Sequence, residues 1–387
     1  MDLAAYEAAG LYDPADPAAA ERADLLEFLE GLGCSLEEMV EANVSGRLFA
    51  LAGDRIIRPN RNQLTLADVG QQLGVDEDAV RRAWRAYGLI LREPTAKVAS
   101  PDDVQALRTH FAFVAAFGED PGTALARVVA SAMARVGEAL STTVRASENL
   151  LDIGVTGSEP VTARAFADAA QLVPYAGRLI DTMFRHHLES ARSLFEQAVE
   201  ADPQRQFALA VGFVDLCDYT ALAGRLDSPK LAHLLTRFEE LATGVAADAG
   251  GRVVKFLGDA AMFVAPDPTT LMNTVVGLMT HPEAEASGLS ARGGLAYGRV
   301  IAQDGDFFGP PVNLASRLVS AAEPNTLLIA PAMADRLGPE WPLEQTEGLL
   351  LRGIEGPVSA RVLRSFSAVP EQTRVAFAEP STPTGTH

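Results

Sequence analysis

The sequence predicts an α+β chain whose first half is all helix and whose second half alternates strands with helices. Three observations carry this. Up to about residue 195 apolar residues recur at helical spacing, and Gly and Pro punctuate the runs. From Phe207 onward, short runs rich in Val, Phe and Leu appear between helical stretches. A length of 387 residues, 48% of them hydrophobic, supplies material for two or three packed domains.

In the first half, Asp16-Pro17 opens an amphipathic run over 18–30 that closes at Gly31 and Gly33. Ser35-Leu36-Glu37-Glu38 offers a capping box for the next helix. Residues 51–59, with Ile56-Ile57, read as a strand or irregular link. Residues 64–89 read as two helices around a turn at Gly74, the second carrying Arg81, Arg82 and Arg85. That pattern is similar to a DNA-binding helix-turn-helix, or equally to a helical hairpin with Trp84 and Tyr87 in its core. Pro101 opens another helix, Pro121-Gly122 precedes a buried or amphipathic helix over 125–149, and 162–200 reads as one or two more. Ala201-Asp202-Pro203 marks the expected junction.

The second half starts with an apolar strand over 207–214 that ends at Asp215. A helix over 229–249 leads to a hairpin, 252–264, broken at Gly258-Asp259. Then come a helix over 268–280, a strand over 291–301, a helix over 312–322 and a strand over 326–330. The order βαββαβ is that of a ferredoxin-like core with additions. Residues 349–358 and 360–366 read as closing strands, and the Pro- and Thr-rich tail 367–387 as disordered.

A formal net charge of −19 argues against nonspecific nucleic-acid binding, which needs surplus Lys and Arg to neutralise phosphates. Two isolated cysteines, Cys34 and Cys217, give no disulfide framework or zinc spacing and fit a reducing cytoplasm. Met1-Asp2-Leu3 lacks the basic start of a signal peptide, and the apolar 125–144 stretch is interrupted by Arg127, Arg135 and Glu138. The expectation is a cytoplasmic protein without a membrane span.

Asp215 and Asp259, at the ends of neighbouring strands, are the oxygen ligands a divalent-metal site for phosphoryl chemistry needs. Taken singly, each also reads as an ordinary turn residue. The ordered pattern argues otherwise: Gly212-Phe213-Val214-Asp215, Lys255-Phe256-Leu257-Gly258-Asp259, Gly294-Leu295-Ala296-Tyr297-Gly298-Arg299, then Asp306-Phe307-Phe308-Gly309-Pro310-Pro311-Val312-Asn313 and Arg317.

This pattern resembles the class III nucleotidyl cyclase catalytic domain over roughly 207–366, in a short-arm bacterial form where Phe308-Gly309-Pro310-Pro311 replaces the more usual Trp-Gly and polar pair. The resemblance implies an adenylate cyclase with two Mg²⁺ or Mn²⁺ ions per site, held by Asp215, Asp259 and the Leu216 carbonyl. Lys255 and Asp306 would read adenine, so ATP is the expected substrate. Asn313 would position the ribose, and Arg317 would stabilise charge on the α-phosphate. Arg352, where the family commonly has Lys, and Arg299 would bind the triphosphate. The site would form between two copies of the chain, implying a homodimer. The layout resembles actinobacterial cyclases with an N-terminal helical regulatory domain (1–190, with a junction at 191–206), associated with autoinhibition and pH response. His186-His187 is the local candidate for an acid switch. The alternatives are a catalytically silent nucleotide-binding module, or a transcription factor using the Gly74 helix-turn-helix.

Overall fold

The computed structural model of the chain describes residues 2–60, 62–91, 93, 95–147, 151–198, 206–217, 227–286, 290–346, 348–366 and 369. The expected junction at Ala201-Asp202-Pro203 and, apart from Val369, the tail 367–387 lie outside the described residues. The chain divides into two compact units, Met1–His186 and His187–His387.

The first unit is helical: α1 (Leu3–Ala8), α2 (Ala19–Gly31), α3 (Leu36–Val44), α4 (Leu51–Ile57), α5 (Leu66–Leu73), α6 (Glu77–Ala86), α7 (Pro101–Phe117), α8 (Glu119–Ser147), α9 (Ile153–Thr156), α10 (Glu159–Ala170) and α11 (Val173–Gln197), whose last turns belong to the second unit. Capping boxes open several of these. Ser35 with Glu38 starts α3 as expected, Thr65 with Asp68 starts α5, and Ser100 with Asp103 starts α7. Leu25, Leu29, Met39, Ala52 and Ala163 form one buried cluster, and Leu66, Val80, Trp84 and Leu107 another. The strand or irregular link expected over 51–59 is helix instead. Ala52 and Gly53 are buried there, and a Cβ on Gly53 would meet the Phe166 carbonyl oxygen of α10 at 3.1 Å. Close packing of small residues overrides the β preference of Ile56-Ile57. α8 is amphipathic as expected, but not buried: from 127 to 146 no described side chain is buried. Among the described residues no helix is long and apolar enough to cross a membrane.

The second unit runs β1 (Gln206–Leu216), α12 (Ser228–Ala249), β2 (Arg252–Leu257), β3 (Ala260–Ala265), α13 (Pro268–Met279), α14 (Pro282–Ala286), β4 (Ala291–Gln303), β5 (Asp306–Phe308), α15 (Pro310–Ala321), β6 (Leu327–Ile329), α16 (Pro331–Ala334), β7 (Glu344–Gln345), β8 (Leu349–Leu350), β9 (Pro357–Val358) and β10 (Arg361–Leu363). The sheet order is β2-β3-β1-β4-β6-β10-β7. β1 is antiparallel to β3 and β4, and β3 is antiparallel to β2. This is the ferredoxin-like βαββαβ arrangement. α15 then carries the chain to β6, parallel to β4. Of the two expected closing segments, β10 joins the main sheet, while β8 pairs with β9 in a separate ribbon.

Both faces of the sheet are covered, so β1 reads as a continuous apolar run rather than an alternating one. Ala210, Val214, Ala261 and Phe263 face Phe238 and Ala242 of α12 and Leu271 and Val275 of α13. Leu209, Val211, Phe213, Met262 and Val264 face Ala315 and Leu318 of α15 and Leu194 near the end of α11. Gly294 sets how closely α15 lies on β4. A Cβ there would stand 2.2 Å from the Val319 nitrogen and 2.3 Å from the Ala315 carbonyl oxygen. Backbone on both sides leaves no side chain to give way.

Replacing Gly294 with Ala should therefore force α15 off the sheet, at a cost of about 1–3 kcal/mol. Denaturant unfolding of Gly294→Ala should read that loss. Stability equal to wild type would contradict the close approach.

Candidate active site

Asp215 ends β1 and Asp259 sits in the two-residue turn between β2 and β3. Cross-strand register places Asp215 opposite Ala260, and the Leu216 N–H donates to the Asp259 carbonyl at 3.1 Å. Gly258, at φ +68°, supplies the left-handed residue this turn needs. The two carboxylates become neighbours because their strands pair. Burial first, and then the nearby Asp215, push the Asp259 carboxyl above its usual range, against its own backbone N–H and the charge of Arg292.

Arg292 is a residue the sequence reading missed. It faces Asp215 across the β1–β4 ladder and donates to Asp215 Oδ2 from Nε at 3.0 Å and from Nη2 at 2.7 Å. Its signal was its place: a charged residue two positions before Gly294, near the start of the strand. An arginine inside a half-buried strand needs a counter-ion, and the register supplies one.

Lys255 and Asp306 lie 51 positions apart and form an ion pair, Nζ to Oδ2. Two local irregularities bring this about. β2 bulges between Val253 and Lys255, so Lys255 stands opposite Met262, a residue of the α15-facing side. β4 was expected to end at Ile301 but runs on to Gln303 and turns at Asp304-Gly305, with φ of +53° and +79°. Two successive positive values define a type I′ hairpin, for which Asp-Gly is a strong signal. β5 returns from that turn with Asp306 as its first residue, and the Phe307 N–H holds Asp306 Oδ1 at 2.8 Å.

Asn313 and Arg317 lie one helical turn apart on α15, Asn313 exposed and Arg317 half-buried. The Arg317 guanidinium lies over the loop that carries Arg352. A Cβ on Gly353, where φ is +74°, would meet Arg317 Nη1 at 3.2 Å. Arg352 and Arg299 are both exposed. Among the described residues, no hydrogen bond or ion pair joins Asp215 or Asp259 to Lys255, Asn313 or Arg317. His186 and His187 are exposed on α11. In the helix pair α5–α6, Val80, Ala83 and Trp84 are buried, while Arg81 pairs with Glu77 and Arg82 with Glu119. Two of the three arginines proposed for DNA thus already hold carboxylates.

Comparison with known proteins settles the family. A family model described as the adenylate cyclase regulatory domain matches residues 4–191. The pH-sensitive adenylate cyclase MT1302 of Mycobacterium tuberculosis (strain CDC 1551) is 30% identical over 362 residues, 90% of this chain and 89% of its own. The chain belongs to the adenylate cyclase family. Two further similar proteins are Rv2212 of M. tuberculosis (strain H37Rv), 45% identical over 93% of each chain, and an adenylate cyclase of Streptomyces coelicolor, 30% identical over 75% of each. In this family member, Asp215, Asp259 and the Leu216 carbonyl offer only hard oxygen donors, the set suited to Mg²⁺ or Mn²⁺. Among the described residues no group of three His, Cys, Asp or Glu is placed to hold a metal ion.

Removing the Arg292 charge leaves the carboxylate pair uncompensated. Because the pair is partly exposed, Arg292→Gln should cost only about 1–2 kcal/mol. Millimolar Mn²⁺ should restore more thermal stability to Arg292→Gln than it adds to wild type. An equal response in thermal melts would argue against a cation at this pair.

Proposed function

We infer that the chain converts ATP to 3′,5′-cyclic AMP and pyrophosphate, at sites shared between two copies. The observation that carries the reading is the Lys255–Asp306 pair, which two backbone irregularities bring together from distant parts of the sequence. With substrate absent the two satisfy each other. Opposite an adenine they would separate their roles: Lys255 donates to a ring nitrogen, and Asp306, held by the Phe307 N–H, accepts from the 6-amino group. Guanine presents the opposite demands.

Asp215, Asp259 and the Leu216 carbonyl would hold two Mg²⁺ or Mn²⁺ ions. Such ions, when bound, ease deprotonation of the ribose 3′-hydroxyl and neutralise the triphosphate. Arg292 neutralises Asp215 until that charge arrives. Asn313 holds the ribose, so the 3′-oxygen stays in line with the α-phosphorus. Arg317 meets the charge that develops on the α-phosphate, a task suited to a permanently charged fork. Arg352 and Arg299 bind the triphosphate. As the resemblance to the class III cyclase catalytic domain implies, one copy of a homodimer would supply the carboxylates and the other the base readers, Asn313 and Arg317.

Asp215→Ala and Arg317→Ala should each be inactive, as measured by cyclic AMP formed from ATP and Mn²⁺. Mixed and allowed to exchange, they should recover roughly a quarter of the wild-type rate, since random pairing makes half the dimers mixed with one intact site each. Zero recovery in verified mixed dimers would sink the shared site.

The first half restrains the second, and acid relieves the restraint. The regulatory-domain match over 4–191 and the pH-sensitive relative support this. His186 and His187, exposed beside Arg185 on α11, are the local candidates for this switch. Residues 201–387 alone should be active across roughly pH 5.5 to 8, and the full chain mainly at the acid end. A His186→Ala/His187→Ala chain that keeps the full-length pH profile would remove this pair from the mechanism.

A further inference from the structure

Lys255 and Asp306 pair in a way that fixes the polarity of any base edge they meet. An ammonium only donates and a carboxylate only accepts, so neither can reverse its role as an Asn or Gln amide does. Asp306 is fixed further: its Oδ1 accepts from the Phe307 N–H at 2.8 Å, and Oδ2 is the oxygen that meets Lys255. Both side chains remain partly exposed, so a base can reach them. The edge that suits this pair is a ring nitrogen with a lone pair beside an exocyclic amino group. Adenine offers N1 and its 6-amino group. Cytosine offers the same two groups, as N3 and its 4-amino group, whereas guanine and uracil offer a ring N–H beside a carbonyl. By polarity the pair separates amino bases from keto bases, not purines from pyrimidines. Size separates adenine from cytosine, and more weakly. A site built to hydrogen-bond its substrate rejects an unmatched analogue by about 10⁴-fold, while lost apolar contact costs about 10–200-fold. Cytosine lacks the fused five-membered ring, and its amino edge lies nearer the sugar. Lys255, on a flexible four-carbon stem, can follow it there.

We propose that the chain has a second activity as a cytidylate cyclase, taking CTP at the same site and closing it to 3′,5′-cyclic CMP. The proposal rests on the base-reading role given above to Lys255 and Asp306. ATP and CTP share their ribose and triphosphate, so the roles given to Asn313, Arg317, Arg352 and Arg299 carry over unchanged. The ribose 3′-oxygen forms a bond to the α-phosphorus of CTP. The bond from that phosphorus to the α,β-bridging oxygen breaks, and its electron pair leaves with pyrophosphate. The 3′-hydroxyl proton passes to water. Nothing is oxidised or reduced, and no co-reactant is needed.

The test incubates the full chain and Mn²⁺ with ATP, CTP, GTP or UTP in turn and reads the cyclic nucleotide by mass spectrometry. The kcat/KM for CTP should lie about 100-fold below that for ATP and roughly tenfold or more above those for GTP and UTP. Cyclic AMP formed from ATP, with CTP no better than GTP or UTP, overturns the proposal and leaves the adenylate cyclase reading standing. No cyclic AMP from ATP overturns that reading, and the proposal with it. Lys255→Ala adds a second readout. It removes the donor to the ring nitrogen, so ATP and CTP activity should fall together and their lead over GTP and UTP should narrow. A Lys255→Ala chain that loses ATP activity but keeps CTP activity overturns the proposal, because cytosine would then enter without the pair. Should that variant fail to fold, the wild-type ranking of the four nucleotides decides alone.

Discussion

Two carboxylates held side by side at the ends of paired strands need positive charge, and much of the second unit is arranged around that need. β1 and β3 cannot pair in their register without bringing Asp215 towards Asp259. Burial, and then the Asp215 charge, hold the Asp259 carboxyl above its usual range. Within the chain, the answer is Arg292, delivered by the β1–β4 ladder to Asp215.

The same sheet brings Lys255 to its α15-facing side without losing its core. β2 does this by bulging at one residue, which moves Lys255 to the α15-facing side while Val253 stays with the other core. The Asp304-Gly305 hairpin reverses β4 at its outer end and presents Asp306 to Lys255. α15 lies so close to β4 that glycine is required at 294, and this contact fixes where Asn313 and Arg317 sit. The reactive groups therefore stand on rigid elements, each held by backbone pairing or backbone contact.

The first unit obeys a different logic. Its small clusters around Leu25 and Trp84 bury enough to hold short helices, whereas α8 and the first turns of α11 expose their apolar faces along most of their length.

The sequence by itself determined the fold class, the order of the core elements and most of the candidate residues. Helical spacing, short apolar runs, turn glycines and ordered carboxylates are local signals, written in consecutive residues. Ser35 announces its capping box and Gly258 its turn without any help from tertiary contacts. Tertiary structure alone decided three matters. Residues 51–57 became helix because small residues had to fit against α10, a contact more than a hundred positions away. Arg292 became part of the site because an antiparallel register set it opposite Asp215. Lys255 met Asp306 because a bulge and a hairpin turned two strands towards each other. Each depends on which distant backbone lies alongside, and a linear pattern of residue types does not encode that distance.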